Sequence, residues 1–456
     1  MSKMSKTLDW PSKDSQFFNV DAKPEYHQMA NYLIHEVGFK THGKYIYKYN
    51  KGKYEEVSNE LLKKTINNLT NKRAKPGQTR DFFDIITTQA QVESIEEVTP
   101  PERCLNLENG LYTIDDKEFG SHMRENFFLH KMPVKFDRDA KCPQFIEFLN
   151  QTFENDQQLV NVTAEIFGYC LLGGDPFLHK AFVLYGSGRN GKSTWLDILK
   201  ELMGKGNYAS VPMNKLGDPF SAFGLHGKLA NITGELPTGK ISSDDFKTVV
   251  GGEEIICSAK YKDQFSLRVR AKMIFACNLF PVFNDSTPGM REKLLFMPFN
   301  NYLEEHDRDV KLFSKLKIEM SGILNFALEG LDRILERGRL PEVDAAKEVM
   351  KKYRGESDSV YLFFEVCLEI TQFKVKPDER IPLKFLYGRY QLFCSEEGFR
   401  QPIGKGKFGK KIEAILIEKS REKKWYFKEK KGEFLKPFQR VFKIDYAIFD
   451  DAYFLG

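Results

Sequence analysis

The chain has 456 residues, of which 41% are hydrophobic and 29% charged, and 69 basic against 64 acidic side chains give a net charge of +5. These proportions are typical of a soluble globular protein, and the length predicts two to four domains. No apolar run reaches the ~18 residues that a bilayer-spanning helix needs, so the sequence excludes such a helix and we expect no membrane partner.

The cysteines and the first residues indicate a cellular compartment. Seven cysteines are scattered along the chain without a Cys-x-x-Cys pair, and the eight histidines form no His-x-x-x-His pair. This pattern predicts free buried thiols in a reducing compartment rather than disulfides or a zinc site. The first residues lack the apolar segment of a secretory signal, so we expect a cytoplasmic protein.

The first hundred residues (1–100) are predicted to form a small α/β domain. A hairpin is predicted around Asn50, Lys51 and Gly52, because strand-like runs lie on both sides of this turn sequence. An amphipathic helix follows, with an apolar face formed by Leu61, Leu62, Ile66 and Leu69. The next segment, 101–176, is predicted to begin with short strands and to end with helices over about 143–173.

Residues 177–345 are predicted to form the core of a nucleotide-binding domain. The apolar run Ala181–Tyr185 predicts a buried strand, and an amphipathic helix is predicted to begin near Lys192. The turn between them fits G-x-x-x-x-G-K-[ST]. Glycines let consecutive backbone N–H groups point at anionic oxygens, and a helix N-terminus adds partial positive charge. The predicted phosphate-binding residues are Gly186, Ser187, Gly188, Arg189, Asn190, Gly191, Lys192, Ser193 and Thr194.

This motif predicts ATP and Mg²⁺ as the bound groups. Lys192 can reach the β- and γ-phosphates, and the Ser193 hydroxyl can ligate Mg²⁺. The alternative is a glycine-rich turn that binds nothing. That alternative requires a chance match that is also preceded by a buried-type strand and followed by an amphipathic helix.

Two further strands are each predicted to lead into a polar residue. Lys228–Gly234 leads to Glu235, an acid that can polarise the attacking water and help to hold Mg²⁺. Ala271–Cys277 leads to Asn278, whose amide can hydrogen-bond the γ-phosphate or the water. Both have alternatives, since a carboxylate after a strand is often a surface residue and asparagine is a common turn residue.

The segment between these two strands is predicted to form a hairpin. A helix end and a Gly251–Gly252 turn precede it, and Lys260 and Lys262 lie near its tip. A strand over Leu294–Phe299 and a helical stretch over about 308–338 complete the core.

The last segment, 346–456, carries a local excess of positive charge. Between Phe399 and Lys443 there are fifteen cations and five acids, a net charge of +10. Three helices and a hairpin that pairs Trp425–Phe427 with Arg440–Ile444 predict a winged-helix-like fold, and the charge favours duplex DNA as a partner. A solvated lysine-rich surface and a protein-binding winged helix are the alternatives.

The order of these motifs resembles that of the superfamily 3 helicases of viruses, phages and plasmids. Within them, the chain is similar to the phage/plasmid primase–helicase C-terminal family, which is related to the poxvirus primase–helicase. Three upstream segments extend the resemblance: Asn106–Leu111, Pro133–Asp137 and Phe167–Leu171. The resemblance implies a multidomain α/β protein with an AAA+-like P-loop NTPase core, a small N-terminal α/β domain, a helical collar segment and a C-terminal winged-helix-like domain.

The resemblance also implies a role for each motif of the core. Lys192 and Ser193 would serve the phosphates and Mg²⁺. Glu235 would be the acid of the second motif and would help to hold the metal, and Asn278 would be the first sensor.

One position departs from the family pattern. The family carries two adjacent arginines shortly before the Pro-Phe that ends the last strand, and one of them can act on the γ-phosphate of a neighbouring subunit. Here Glu292 and Lys293 take those places, and Arg291 is shifted by one residue. A planar guanidinium stabilises transition-state charge better than an ammonium, so we choose Arg291 and keep Lys293 as the alternative.

The implied activity is that of an ATP-dependent DNA helicase, an ATP hydrolase that translocates on single-stranded DNA during replication of a phage, plasmid or other mobile element. The expected location is the cytoplasm of a bacterial host cell. Identical subunits would form a ring, with a hexamer expected. Lys247, Lys260 and Lys262 would grip single-stranded DNA in the central channel.

Two other functions are weighed against the helicase. One is an origin-binding replication initiator or loader that uses ATP as an assembly switch. A metabolic kinase or GTPase is disfavoured because no Asn-Lys-x-Asp signature is present. Primer synthesis is expected to belong to a partner primase or polymerase.

Overall fold

The chain folds as two units of mixed α and β structure. A computed structural model describes residues 25–42, 45–69, 76–90, 103–234, 240–258, 264–283, 287–302, 304, 309–369, 381–399, 402–421 and 441–442. The first unit comprises 1–281 and 292–343, and the second comprises 282–291 and 344–456. Across the described residues, every helix is too short or too polar to cross a bilayer.

The first unit begins with a small α/β region. Its elements are α1 (Tyr26–Tyr32), a π-helical turn (Leu33–Val37), β1 (Phe39–His42), β2 (Tyr45–Asn50), β3 (Lys53–Glu56), α2 (Asn59–Leu69) and α3 (Pro76–Gln89). The three strands pair antiparallel in chain order. Lys51 and Gly52 connect β2 to β3 with φ of 45° and 97°, and two left-handed residues are what a tight hairpin turn requires. The predicted hairpin and the helix α2 are therefore confirmed.

A second antiparallel sheet and two helices follow. The strands are β4 (Cys104–Leu107), β5 (Gly110–Thr113) and β6 (Glu118–Gly120), and the helices are α4 (Pro143–Thr152) and α5 (Gln157–Leu171). Asp156 caps α5, because its carboxylate accepts hydrogen bonds from the backbone N–H groups of Gln158 and Leu159. The short strands and the helices predicted for this segment are both present.

The centre of the first unit is a five-stranded parallel sheet. In chain order the elements are β7 (Ala181–Tyr185), α6 (Lys192–Met203), β8 (Tyr208–Ala209), α7 (Pro219–Ala222), β9 (Ala230–Thr233), β10 (Lys240–Ile241), α8 (Ser243–Val250), β11 (Glu254–Cys257), β12 (Phe265–Arg268) and β13 (Lys272–Cys277). After β14 (Val282–Phe283) and α9 (Pro288–Glu292), β15 (Leu294–Pro298) completes the sheet. The strand order is β15-β7-β13-β9-β8. This sheet confirms the coarse prediction of a multidomain α/β protein.

The middle strand β13 is buried along its whole length, including the side chain of Lys272. Its Nζ donates a 2.6 Å hydrogen bond to the carbonyl oxygen of Leu172, directly after α5. A cation at a helix C-terminus offsets the negative end of the helix dipole. The sheet and the helix that precedes it are thus joined by a buried charge-assisted contact.

Helix α11 (Met320–Arg337), which follows α10 (Leu312–Ile318), packs along α5 at very short range. Two glycines allow this approach. A Cβ at Gly168 would lie 2.3 Å from the Ala327 carbonyl oxygen, and one at Gly330 would lie 2.3 Å from the Ala164 carbonyl oxygen. Arg337 also binds the buried carboxylate of Glu165, which fixes the two helices in register.

Replacing Gly330 by alanine tests whether backbone contact holds this helix pair. Alanine in a helix interior normally stabilises it by ~1 kcal/mol relative to glycine. Here the clash with backbone atoms outweighs that gain, and we expect a net loss of about 1–3 kcal/mol. Urea denaturation measures the loss. In the control Gly173→Ala, the new methyl has open space. Equal stability of the two variants would contradict the proposed packing.

The second unit is mostly helical. Besides β14 and most of α9, it contains α12 (Asp344–Ser357), α13 (Ser359–Phe363), a π-helical turn (Phe364–Glu369), β16 (Ile381–Pro382), α14 (Leu383–Glu396), α15 (Lys405–Arg421) and β17 (Val441–Phe442). Its core is aromatic, and Tyr390 and Phe408 stack with ring centroids 4.6 Å apart. The three predicted helices are confirmed. β17 pairs antiparallel with β16, whereas the other predicted wing strand, Trp425–Phe427, lies outside the described residues.

Candidate functional site

The glycine-rich loop lies at the carboxyl edge of the parallel sheet. It connects the end of β7 to the start of α6, and β7 has β15 on one side and β13 on the other. In open parallel sheets, ligands bind in the crevice outside the carboxyl ends of the strands. The predicted strand–loop–helix arrangement is therefore present at a ligand-binding position of the sheet.

The backbone of the loop requires its glycines. Gly188 and Gly191 have φ of 102° and 88°, a backbone conformation that residues other than glycine rarely adopt. A Cβ at Gly186 would lie 2.3 Å from the carbonyl oxygen of Phe299. Arg189 also has a positive φ, 52°, and such strain in a non-glycine residue is concentrated at functional sites. Gly191 is also the N-cap of α6, so no side chain caps that helix.

Lys192 is buried at the start of α6 and turns back towards the loop. Its Nζ donates a 2.7 Å hydrogen bond to the Gly186 carbonyl oxygen and a 2.9 Å hydrogen bond to Asn190 Oδ1. Burial lowers the pKa of Lys192, and the neighbouring Cys277 thiol acts in the opposite direction. Burial disfavours an isolated ammonium, so an anion placed at this loop would be strongly stabilised by it.

Asn190 anchors the loop to the neighbouring strand. Its Nδ2 donates a 2.6 Å hydrogen bond to the carbonyl oxygen of Phe299, one residue beyond β15. Helix α4 supports the loop from another side, since Thr152 Oγ1 lies 3.0 Å from the place of a Cβ on Gly191. Sequence reasoning assigned Asn190 to the phosphate loop but missed this anchoring contact, because its partner is 109 residues away in the chain.

The other predicted core residues follow strands at the same edge. Gly186 N donates a 3.2 Å hydrogen bond to the Cys277 carbonyl oxygen. The backbone of the next residue, the exposed Asn278, therefore lies directly beside the loop. Strand β9 ends at Thr233, opposite Phe275 of β13. Glu235 comes two residues later and lies outside the described residues.

The predicted metal site lies partly outside the described residues. Ser193 is exposed in the first turn of α6, where a hydroxyl can reach a metal beside the loop. In the described part of the chain, no three His, Cys, Asp or Glu side chains cluster in a way that would hold a metal ion.

The predicted hairpin is confirmed by β11 and β12. They pair antiparallel from Glu254 opposite Arg268 to Cys257 opposite Phe265. Lys260 and Lys262 belong to the connecting segment, outside the described residues. Lys247 lies on α8 and forms a 3.2 Å ion pair with Asp244.

Arg291 lies among the charged groups of the second unit. Burial and the nearby guanidinium of Arg354 lower the pKa of Arg291, whereas Asp358 and Glu418 oppose this shift. Arg354 itself is held by two hydrogen bonds to Glu418, of 2.7 and 2.8 Å. The action of Arg291 on a neighbouring subunit stays a prediction.

Removing the Asn190 side chain tests the anchor of the loop. Asn190→Ala removes the amide that donates to the Phe299 carbonyl and one of the two acceptors of the Lys192 ammonium, so we expect a loss of about 1–3 kcal/mol in the free energy of unfolding. Chemical denaturation measures it. Ser187→Ala changes an exposed residue of the same loop and should stay within about 0.5 kcal/mol of wild type. Equal losses in both variants would contradict the anchoring role.

Comparison with known protein families finds three profiles that match this chain in succession. They are "D5 N terminal like" over residues 24–154, a "Family of unknown function (DUF5906)" over 184–291, and "Poxvirus D5 protein-like" over 355–452. These matches support a phage- and poxvirus-like primase–helicase family for the chain, in agreement with the family predicted from the sequence.

A curated relative and two solved structures are also similar. The helicase-named protein L207/L206 of Acanthamoeba polyphaga mimivirus is 22% identical over 277 residues, which cover 58% of this chain and 28% of that protein. This chain therefore spans just over a quarter of the length of that relative. One apo structure of the NrS-1 C-terminal region has a TM-score of 0.48 at 14% identity and covers 82% of this chain and 91% of that one. A second has a TM-score of 0.46 at 15% identity, with coverages of 76% and 82%.

Proposed function

We propose that the chain is an ATP-dependent DNA helicase motor. The observation that carries this proposal is the buried ammonium of Lys192 within a glycine-rich loop, at the uncapped start of a helix. The similarity to a mimivirus protein that is named as a helicase supports a nucleic-acid strand as the substrate of this motor. The finer assignments of a P-loop and an AAA+-like core belong to this proposal.

The residues at the loop fit a nucleoside triphosphate bound with Mg²⁺. Backbone N–H groups from Gly186 to Thr194 would face the phosphates. Lys192 would give up its hydrogen bond to the neutral Gly186 carbonyl oxygen and donate to an anionic phosphate oxygen, because a hydrogen bond to a charged acceptor is stronger. Ser193 and Glu235 would hold the metal. When bound, Mg²⁺ would offset the charge that develops on the phosphate oxygens.

Hydrolysis would use the residues that follow the neighbouring strands. The backbone of Asn278 lies beside Gly186, and its side-chain amide can hydrogen-bond the attacking water or the γ-phosphate. Glu235 would polarise that water. Arg291 would act on the nucleotide of a neighbouring subunit, which requires the chain to assemble into a ring, with a hexamer as the proposed state.

Lys192→Ala tests the motor directly. Loss of this ammonium should abolish ATP hydrolysis, because Lys192 is buried in the loop whereas Arg189, the other described cation of the loop, is exposed. Phosphate release with and without single-stranded DNA measures the hydrolysis. Lys205→Ala, an exposed lysine just beyond α6, should keep wild-type hydrolysis. Far-ultraviolet circular dichroism shows whether the fold is kept. DNA-stimulated hydrolysis in a folded Lys192→Ala protein would overturn the motor assignment.

The second unit would bind duplex DNA as a winged-helix-like domain. Its three helices share one aromatic core, and the exposed lysines Lys405, Lys407 and Lys410 lie in the first turns of α15. Exposed cations in one region are suited to phosphate contacts, which carry no sequence information.

Replacing Lys405, Lys407 and Lys410 together by alanine should reduce the salt dependence of duplex binding. Each lost phosphate contact lowers the slope of log K against log salt by ~0.9, so a reduction of about 2–3 is expected. Fluorescence anisotropy over a salt series measures the slope. Substituting Lys347 and Lys352, which are exposed on α12, should leave it unchanged. An unchanged slope in the triple variant would remove α15 from the interface.

A fork-unwinding assay without any other protein separates the helicase from an initiator or loader. The antiparallel pair β11–β12 favours the helicase, because a hairpin followed by a basic tip can grip a single strand. Unwinding driven by ATP supports the motor. Binding of origin DNA without unwinding would favour the loader, and a primase or polymerase partner would supply primers in either case.

A further inference from the structure

The hairpin β11–β12 leaves the parallel sheet at its amino edge, opposite the glycine-rich loop. Strand β12 ends at Arg268, and β13 begins shortly afterwards at Lys272. The backbone N–H of Lys272 donates a 3.0 Å hydrogen bond to the carbonyl oxygen of Leu229, directly before β9. The root of the hairpin and the segment that precedes β9 therefore lie side by side.

The segment before β9 contacts both the hairpin and a distant part of the chain. The ring of His226 packs edge-on against Phe265 of β12, with ring centroids 5.9 Å apart. The carbonyl oxygen of the next residue, Gly227, accepts a 2.7 Å hydrogen bond from His130 Nε2, 97 positions away in the chain. His130 and its neighbour Lys131 are therefore held beside the segment on which the hairpin packs.

Four lysines from three parts of the chain meet at this place, and we call them the lysine cluster: Lys51, Lys53, Lys131 and Lys228. Lys51 and Lys53 belong to the turn between β2 and β3. Lys131 Nζ donates a 2.6 Å hydrogen bond to the Lys51 carbonyl oxygen, and Lys228 Nζ donates one of 2.6 Å to the Gly206 carbonyl oxygen. Both ammonium groups thus bind neutral acceptors in exposed contacts, which leave their charge uncompensated.

The charges of the lysine cluster act on one another. Burial lowers the pKa of Lys131, Glu108 opposes this shift, and Lys53 and Lys51 add to it. A second carboxylate, that of Glu55, forms a 3.1 Å ion pair with Lys53. Four ammonium groups beside two carboxylates give a local excess of positive charge, which attracts a polyanion.

His130 lies within the same positive field. Burial lowers the pKa of His130 to about 4, and the hydrogen bond to Gly227 opposes the shift. The cations that add to the shift are Lys228, Lys272 and Lys53. Lysines from separate segments therefore act on one imidazole, as expected if they form a single basic surface.

We propose that the lysine cluster binds the phosphate backbone of single-stranded DNA beside the hairpin. This inference rests on the proposed function, in which the hairpin grips a single strand, and it gives the first region of the chain a part in that grip. An ammonium that exchanges a neutral carbonyl for a phosphate oxygen gains the stronger hydrogen bond. Such contacts carry no sequence information, which suits a motor that moves along any sequence.

The salt dependence of single-strand binding tests the lysine cluster. Each phosphate contact contributes ~0.7 to the slope of log K against log salt for a single strand. We therefore expect the slope to fall by about 1.4 in Lys51→Gln/Lys53→Gln and by ~0.7 in Lys228→Gln, where the new amide can still donate to Gly206. Fluorescence anisotropy with a labelled oligonucleotide measures the slope, and circular dichroism shows that the fold is kept.

Lys63→Gln/Lys64→Gln is the matched control, because it removes two exposed charges from α2 in the same region and changes the net charge equally. Its slope should be that of wild type, and hydrolysis without DNA should be unchanged in every variant. Equal losses in the control and in Lys51→Gln/Lys53→Gln would overturn the surface, since net charge alone would then explain them.

Two other results would also count against the lysine cluster. An unchanged slope in Lys51→Gln/Lys53→Gln and in Lys228→Gln would overturn it, and so would a slope that falls for duplex DNA but not for the single strand. Failure of the proposed function gives a different result, in which the wild-type protein itself neither binds single-stranded DNA nor hydrolyses ATP.

Discussion

The candidate site depends on the contact between Asn190 and the carbonyl oxygen of Phe299. This 2.6 Å hydrogen bond joins the loop after β7 to the end of the adjacent strand β15. The same asparagine orients the ammonium of Lys192 through its Oδ1. A cation buried at a loop needs a fixed set of acceptors, since its desolvation is otherwise unfavourable by several kcal/mol. The position of the charge is therefore set by the sheet and not by the loop alone.

Steric contacts add a second constraint around the same loop. Gly186 is required because a side chain there would clash with the carbonyl oxygen of Phe299. Gly191 is required because its φ is positive and because α4 lies beside it. Helix α4 packs on the end of β15 as well, where Phe153 and Phe299 meet with ring centroids 5.0 Å apart. One residue, Phe299, thus contacts the loop by its carbonyl group and α4 by its ring. Loop, strand and helix form a single rigid support.

Local pattern in the sequence predicted the elements and their motifs but not how they meet. The apolar runs gave β7, β9, β13 and β15, and the turn residues Lys51 and Gly52 gave the first hairpin. Period and turn chemistry are properties of neighbouring residues, so they can be read directly. The contact of Gln151 with Asn301 joins residues 150 positions apart, and the residue pattern of neither segment predicts it. The surroundings of Arg291 were beyond prediction for the same reason.

The surroundings of Arg291 explain why an arginine suits this position. The side chain is partly buried and lies near a second guanidinium, that of Arg354, and both conditions lower its pKa. A lysine under such conditions loses its proton readily, whereas the delocalised guanidinium stays charged. Lys293 lies two residues further on, directly before β15, where its backbone carbonyl oxygen accepts a 2.7 Å hydrogen bond from Ala181 N. A permanent positive charge in a partly buried environment suits action on a phosphate, and this supports the prediction of Arg291 over Lys293.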